Sequence, residues 1–180
     1  MPTYKQLDHS PELVQIFLDH MEWLRLVKEK KGQLTPEEMI LRGNLEGADL
    51  SGYELKLIDM SYMNLQDAHF NDCRFIACNL YGVNASNANF YNTQFYQTKM
   101  RNACFYDADF TKASVNQGQL NHSFFLKSNF KGSSFTDVDA LGSFLMRTET
   151  GDMVMSNSRF LYAHTELESP FKNTSIPTTH

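Results

Sequence analysis

Large apolar residues recur at every fifth position through the middle of the chain. From Leu45 to Leu145, all twenty-one positions numbered in multiples of five hold an apolar residue. The residue two positions before most of them is small, as at Ala68, Cys73 and Ser123, and the remaining positions are mostly polar. Each five-residue unit therefore has the pattern small, polar, large apolar, polar, polar.

This period predicts a β-solenoid. An α-helix has 3.6 residues per turn, so a five-residue period would carry the large residues around the helix. Alternation over three residues is typical of a strand and points the small and the large residue the same way. The two polar residues that follow break the alternation, so the chain must bend there. We expect short strands and corners to wind into coils whose side chains fill the axis, stacked about 4.8 Å apart.

Two helices are predicted before the repeats. Ser10 followed by Pro11 has the form of a helix start, and apolar residues follow at helical spacing as far as a stop at Gly32. Thr35 and Glu38 have the form of a capping box, which begins a second, short helix. The first coil of a solenoid would expose an open backbone edge that promotes aggregation. We interpret the helices as a cap over that edge; the alternative is a helix offered to a partner.

The repeat resembles that of the pentapeptide-repeat proteins. Their consensus, small-Asp/Asn-Leu/Phe-Ser/Thr-Gly, stands intact at residues 48–52 as ADLSG, and residues 108–111 are a close copy. The resemblance implies an all-β solenoid, a right-handed quadrilateral β-helix with four repeats per coil and about six coils. The predicted organisation is an N-terminal helical cap (1–42), a β-helix (43–165) and a C-terminal tail (166–180). Thr150 departs from the pattern at a large site, and we expect a loop at 146–152.

Composition and charge narrow the classes of partner. The 180 residues are 42% hydrophobic, enough for a core, and carry a net charge of -5. Affinity for nucleic acid depends mainly on basic groups, so we expect no direct binding to nucleic acid. The N-terminal residues lack the apolar run of a signal peptide, and no segment approaches the roughly 18 apolar residues of a membrane span. We therefore expect a cytoplasmic protein that does not enter membranes.

Few residues suggest catalytic chemistry. The six histidines fall on different predicted coils or faces, and we interpret them as solvated surface side chains and not as metal ligands. Cys73 and Cys78 occupy inward small sites, where thiols behave as small hydrophobes. No phosphate-binding loop or nucleophile elbow occurs in the sequence. The chain is expected to be no enzyme and to need no metal or cofactor.

One predicted face becomes apolar on its outside toward the C-terminal coils. Twenty residues per coil place the outward residues in columns, which begin polar at Asn64 and Asn84. The predicted protein interface comprises Cys104, Tyr106, Phe124, Leu126, Leu141, Phe144, Met146 and Leu161. A contiguous exposed apolar patch usually marks an interface, which favours a homodimer or the docking of another protein. The alternative is that the tail covers the patch with Pro170, Phe171 and Ile176.

The family resemblance carries a second functional hypothesis. Some pentapeptide-repeat proteins resemble B-form DNA in width and charge and bind DNA gyrase or topoisomerase IV in its place. The candidate acidic patch for such mimicry comprises Asp67, Asp72, Asp107 and Asp109. Nine basic residues interrupt the acidic columns of the repeat region. Protein docking is therefore the leading hypothesis, and regulation of a DNA-binding enzyme by duplex mimicry is the alternative.

Overall fold

The chain forms a parallel β-solenoid that follows a short helical segment. The computed structural model describes residues 4–159 and the strand at 164–165. A 3₁₀-helix at Leu7–His9 precedes the helices α1 (Pro11–Glu29) and α2 (Pro36–Met39). The strands are β1 (Glu54–Lys56), β2 (Arg74–Ile76), β3 (Gln94–Tyr96), β4 (Ser114–Asn116), β5 (Ser134–Thr136), β6 (Phe144–Leu145), β7 (Val154–Ser156) and β8 (His164–Thr165).

Parallel pairing at a constant register makes the solenoid four-sided. One sheet has the order β1-β2-β3-β4-β5-β7, and its partners lie twenty residues apart, as in Leu55 opposite Phe75. Between β1 and β2 the chain forms three further paired positions, at Asp59, Asn64 and His69, each bridged to the residue twenty positions later. The predicted quadrilateral solenoid is confirmed. Six rungs stand on the main sheet and span about five turns.

Inward packing follows the five-residue period. The large positions from Leu45 to Leu145 are all buried. Phe70, Phe90, Phe110 and Phe130 form one stack, with successive ring centroids 5.2, 4.9 and 5.2 Å apart. Offset stacking of this kind stabilises a core beyond the burial of apolar area. The stack therefore ties four successive coils together.

Polar side chains at the small inward sites are satisfied by the preceding coil. The Thr93 hydroxyl donates to the Phe70 carbonyl at 2.5 Å, and the Ser143 hydroxyl donates to the Leu120 carbonyl at 3.0 Å. The Cys73 thiol lies 2.8 Å from the Leu50 carbonyl in the same arrangement. Burial raises the pKa of Cys73 to about 12. These groups are hydrogen-bond donors inside the core, which explains why small hydroxyl and thiol residues are tolerated there.

The N-terminal segment packs against the first coil. Phe17 of α1 is buried in the hydrophobic core. Lys5 extends the edge of the main sheet, because its N–H donates to the Gly52 carbonyl at 2.8 Å and its carbonyl accepts from Glu54 N–H at 3.0 Å. The capping box of α2 is present, with Thr35 and Glu38 each accepting from the backbone N–H of the other.

Two predictions from the sequence are wrong. His20 is fully buried, so the interpretation of all histidines as solvated surface groups fails for it. Its Nδ1 accepts a hydrogen bond from Gly43 N–H at 3.1 Å, which compensates part of the cost of burying the ring. The expected loop at 146–152 does not form. Glu149 remains paired with Asn129, and β7 pairs with β5 in unchanged register, because the backbone pairing continues across Thr150.

Candidate protein-interaction surface

The structure places the predicted interface residues in adjacent columns on one side of the solenoid. Cys104, Phe124 and Phe144 are paired in parallel, each opposite the residue twenty positions away. Tyr106, Leu126 and Met146 follow on the other side of the inward residues 105, 125 and 145. We call these six residues the apolar column. Leu141 is exposed at the neighbouring corner, and Leu161 lies outside the described residues, as does the tail.

Phe124 and Phe144 present a continuous aromatic surface. Their rings stack with centroids 4.9 Å apart and an angle of 7° between the planes. Phe124 is 46% exposed and Met146 is 38% exposed, whereas the inward Phe125 is buried. Cys104, Tyr106, Leu126 and Phe144 are half-buried. The column thus extends over three rungs of the solenoid.

Phe124 and Phe144 stand in a column where the earlier coils carry asparagines that stabilise the corners. In the three earlier rungs of the same column, the asparagine side chain accepts from the backbone N–H two residues later, at 3.1 Å for Asn44, 3.2 Å for Asn64 and 3.2 Å for Asn84. Such bonds cap a bend in the backbone. A phenylalanine at the same position has no acceptor. The column therefore gives up a local hydrogen bond in exchange for exposed apolar area, a departure from local preference that is typical of functional sites.

Charged residues line one edge of the column. Asp107, Lys127 and Arg147 occupy successive positions of the next corner, all with left-handed backbone at φ 56°, 61° and 55°. Lys127 Nζ donates to the Tyr106 hydroxyl at 2.8 Å and lies 5.2 Å from the centroid of that ring. The hydrogen bond to Tyr106 raises the pKa of Lys127. The edge is acidic toward the N-terminal coils and basic toward the C-terminal coils.

The candidate acidic patch is partly occupied by structural hydrogen bonds. Asp67 and Asp72 accept from the Asn87 and Asn92 amides of the next coil, at 3.0 and 2.7 Å. Asp109 accepts from Thr111 N–H at 2.9 Å and from its hydroxyl at 2.5 Å, so this carboxylate caps a corner. The column of Asp72 continues to Lys112, and that of Asp107 continues to Lys127. Each acidic column thus reaches a lysine, three coils after Asp67 and two coils after Asp72.

An aromatic cluster at the N-terminal end was missed in the sequence. The Trp23 ring lies 6.3 Å from that of Tyr62, which in turn lies 5.3 Å from that of Tyr81. Arg42 joins the cluster, because its Nε donates to the Tyr62 carbonyl at 2.6 Å. One feature of the sequence does point to the position of Tyr62. It stands twenty residues before Gly82, where a Cβ would meet the Tyr62 ring at 2.9 Å. A bulky corner residue twenty positions before a glycine indicates such a contact.

The described residues contain neither a cluster of metal ligands nor a helix that could span a membrane. Within them, no three His, Cys, Asp or Glu side chains lie close enough to bind a metal. Neither helix of this part of the chain has the length and apolar character that a membrane span requires. Burial also raises the pKa of Cys78, so both inward thiols stay protonated near neutral pH.

Comparison with known proteins gives one family and several structures. A family model described as a pentapeptide repeat region matches residues 48–125. A trypsin-treated form of QnrB1, a plasmid-mediated fluoroquinolone resistance protein, is similar with a TM-score of 0.48 and 18% identity, over 64% of this chain and 76% of that one. HetL, a pentapeptide repeat protein involved in heterocyst differentiation regulation in the cyanobacterium Nostoc, has a TM-score of 0.32 and 13% identity, over 67% of this chain and 81% of its own.

Rfr23 from the cyanobacterium Cyanothece 51142 has a TM-score of 0.34 and 13% identity, over 86% of this chain and 97% of that one. No curated protein matches the chain. The five-residue repeat, the four-sided coil that it forms and the matching family model agree that residues 48–125 are a pentapeptide repeat region.

Proposed function

We propose that this protein is a non-enzymatic rod that binds another protein chain through the apolar column. The observation that carries the proposal is the stack of the exposed Phe124 ring on the half-buried Phe144 ring, in the column where Asn64 and Asn84 cap corners in earlier coils. Aromatic residues are enriched among the anchors of protein interfaces. The solenoid holds the column in place because every rung is bonded to the next.

Three different segments are candidates to cover the apolar column: a second copy of this chain, another protein, or the tail at 166–180. The following experiment distinguishes them. Phe124→Asp combined with Phe144→Asp places two charges in the column. We expect the wild-type protein to be dimeric by multi-angle light scattering and this variant to be monomeric, because a buried unpaired carboxylate opposes association. Thermal melting of both proteins checks that the fold is retained.

A matched control carries the same change on another face. Tyr96→Asp combined with Val154→Asp also replaces two exposed apolar residues of the solenoid, on the main sheet. This control is expected to remain dimeric. A wild type that is monomeric at high concentration contradicts self-association, and an affinity pull-down with wild type and the Phe124/Phe144 variant then tests for another partner. A tail that becomes sensitive to protease in that variant alone supports intramolecular cover and overturns the docking proposal.

The duplex-mimic alternative is tested separately. Asp67, Asp72 and Asp107 are exposed carboxylates on one side of the rod, which is the observation in its favour. Purified protein is added in excess to a DNA gyrase supercoiling assay, with and without a quinolone. Inhibition or protection that is lost on combining Asp67→Asn, Asp72→Asn and Asp107→Asn supports the alternative. No effect of the wild type in excess removes it.

A further inference from the structure

We infer that a second surface of the solenoid, at its N-terminal end, docks an extended acidic segment of another protein. The surface comprises Trp23, Arg42, Tyr62, Tyr81 and Arg101, and we call it the aromatic surface. It lies in earlier coils than the apolar column and on a different face, so the inference goes beyond the proposed function. Three features carry it: an excess of positive charge, aromatic rings that are held in place, and arginines with donors left for a partner.

Positive charge exceeds negative charge on this face. Its outward residues come from three successive coils, at 59–62, 79–82 and 99–102. Lys99 and Arg101 are exposed there, and Arg42 is exposed one coil before them. Asp59 is the one carboxylate in these stretches, and it caps a corner by accepting from Ser61 N–H at 2.9 Å. On a chain of net charge -5, this face therefore attracts carboxylates.

The aromatic rings are fixed in position by their neighbours. Trp23 meets Tyr62 edge-on with centroids 6.3 Å apart, and Tyr62 meets Tyr81 in the same way at 5.3 Å. The Tyr62 ring lies across Gly82 and is still 43% exposed, and the Tyr81 hydroxyl accepts from the Asn102 amide at 2.7 Å. Rings that are held before a partner arrives lose little conformational entropy on binding. Tryptophan, tyrosine and arginine are also the residues most enriched among interface anchors.

The two arginines have donors left for a partner. Arg42 donates from Nε to the Tyr62 carbonyl at 2.6 Å, and its guanidinium carbon lies 6.0 Å from the centroid of the Trp23 ring. These contacts direct the side chain along the rod toward the second coil. In the part of the chain that the structure describes, neither Arg42 nor Arg101 pairs with a carboxylate. A guanidinium has several N–H donors, so each arginine can bind one carboxylate through two of them.

The spacing of the arginines fits an extended segment that runs along the rod. The Arg42 guanidinium reaches the rung of Tyr62, and Arg101 stands two rungs further, about 9.6 Å along the axis. In an extended chain alternate side chains face the same way, and residues four apart span about 13 Å. The long side chain of Arg101 covers the difference. The expected segment therefore has acidic residues at its first and fifth positions, opposite the arginines, and an apolar residue at its third position, opposite the tyrosines.

Tryptophan fluorescence tests the site directly, because Trp23 is the single tryptophan of the chain. The probe is the peptide Gly-Glu-Ser-Leu-Ser-Glu-Gly, and the control peptide has glutamine in place of both glutamates. We expect the probe to give a saturable change in the emission of Trp23 that weakens as salt is added, since salt screens exposed charges. The control peptide should give no such change.

A pair of charge reversals locates the binding on the protein. Arg101→Glu should weaken binding of the probe at least tenfold, because it places like charges opposite each other. Lys131→Glu makes the same change in net charge at an exposed position on another face, and it should bind as the wild type does. Thermal melting of both variants checks that the fold is retained.

Each outcome decides between the alternatives. A probe that gives neither a change in emission nor heat in isothermal titration calorimetry overturns the inference, and so does equal binding of the control peptide. Equal weakening by Arg101→Glu and Lys131→Glu also overturns it, because the attraction then belongs to net charge alone. Tighter binding of a ten-nucleotide oligothymidylate at the same site would replace the acidic segment by single-stranded nucleic acid. The variant with Phe124→Asp and Phe144→Asp should bind the probe normally, so failure here leaves the proposal for the apolar column unaffected.

Discussion

At the scale of single residues, each position of the repeat has a distinct physical task. The residue before the large one accepts from the backbone two positions later, as Asp49 does from Ser51 N–H at 2.9 Å. The second residue after the large one adopts left-handed backbone, as at Asp67, Asn87 and Gly52. Asn, Asp and Gly tolerate this conformation better than other residues. These two requirements account for the Asp/Asn and Gly positions of the five-residue consensus.

Leu57 stands at the left-handed position of its repeat although it is not Asn, Asp or Gly. Burial of its side chain does not offset the cost of this backbone conformation. Leu57 has φ 58° and is 72% exposed. Leu57→Asn should stabilise the protein by about 1 kcal/mol, because asparagine reaches the left-handed region at lower cost. The free energy of unfolding in urea measures the gain. Lys56→Asn, one residue earlier in extended strand β1, is the control and should give no gain. A Leu57 variant no more stable than this control contradicts the assignment.

At the scale of elements, the attachment of α1 explains a short motif. The stretch His-x-x-Trp-Leu occupies residues 20–24, within α1. His20 and Trp23 are three residues apart and therefore lie on the same side of the helix. Their rings stack with centroids 5.5 Å apart, and His20 Nδ1 accepts from Gly43 N–H where the first coil begins. The motif thus joins the helix to the solenoid.

This attachment predicts a specific pH dependence. Burial is the main cause that lowers the pKa of His20, and Arg42 acts in the same direction, whereas Asp59 and the backbone of Ser61 oppose them. The unfolded chain therefore binds the proton more readily than the folded chain. Stability is complete above about pH 6.5, the ordinary pKa of histidine, and falls as the pH drops toward the lowered folded pKa. The loss is at most about 1.4 kcal/mol per pH unit in that window.

The test compares wild type with His20→Asn, whose amide oxygen can accept from Gly43 N–H without titrating. Urea unfolding at pH 7.5 and pH 5.5 gives the change in stability for each protein. The wild type should lose more stability on acidification than the variant, and the difference isolates His20 from the other histidines. Equal losses in the two proteins contradict the role assigned to His20.

At the scale of the whole molecule, the solenoid is held by contacts between neighbouring coils. Phe110 is central, since its ring stacks between Phe90 at 4.9 Å and Phe130 at 5.2 Å. Solenoids of this kind derive their stability from repeat units and the interfaces between them. A defect in a central coil therefore weakens two interfaces at once.

Phe110→Ala should lower the free energy of unfolding by about 3–5 kcal/mol, through lost burial and the cavity that remains. Tyr96→Ala, on the outside of the main sheet, is the matched aromatic control and should cost much less. Denaturant unfolding of both variants provides the comparison. A Phe110 variant as stable as the Tyr96 variant would mean that the multiples of five do not fill the axis.

The sequence by itself determined the set of inward residues, the corners between them and the column of Cys104, Phe124 and Phe144. These features follow from a local period of five residues and from coils of twenty residues each. Together these two repeats set the register between neighbouring coils. Only the tertiary structure decided that His20 is buried and that the coil continues through 146–152. Those outcomes depend on which side chain meets a given backbone group in the folded chain, and a repeat pattern does not contain that information.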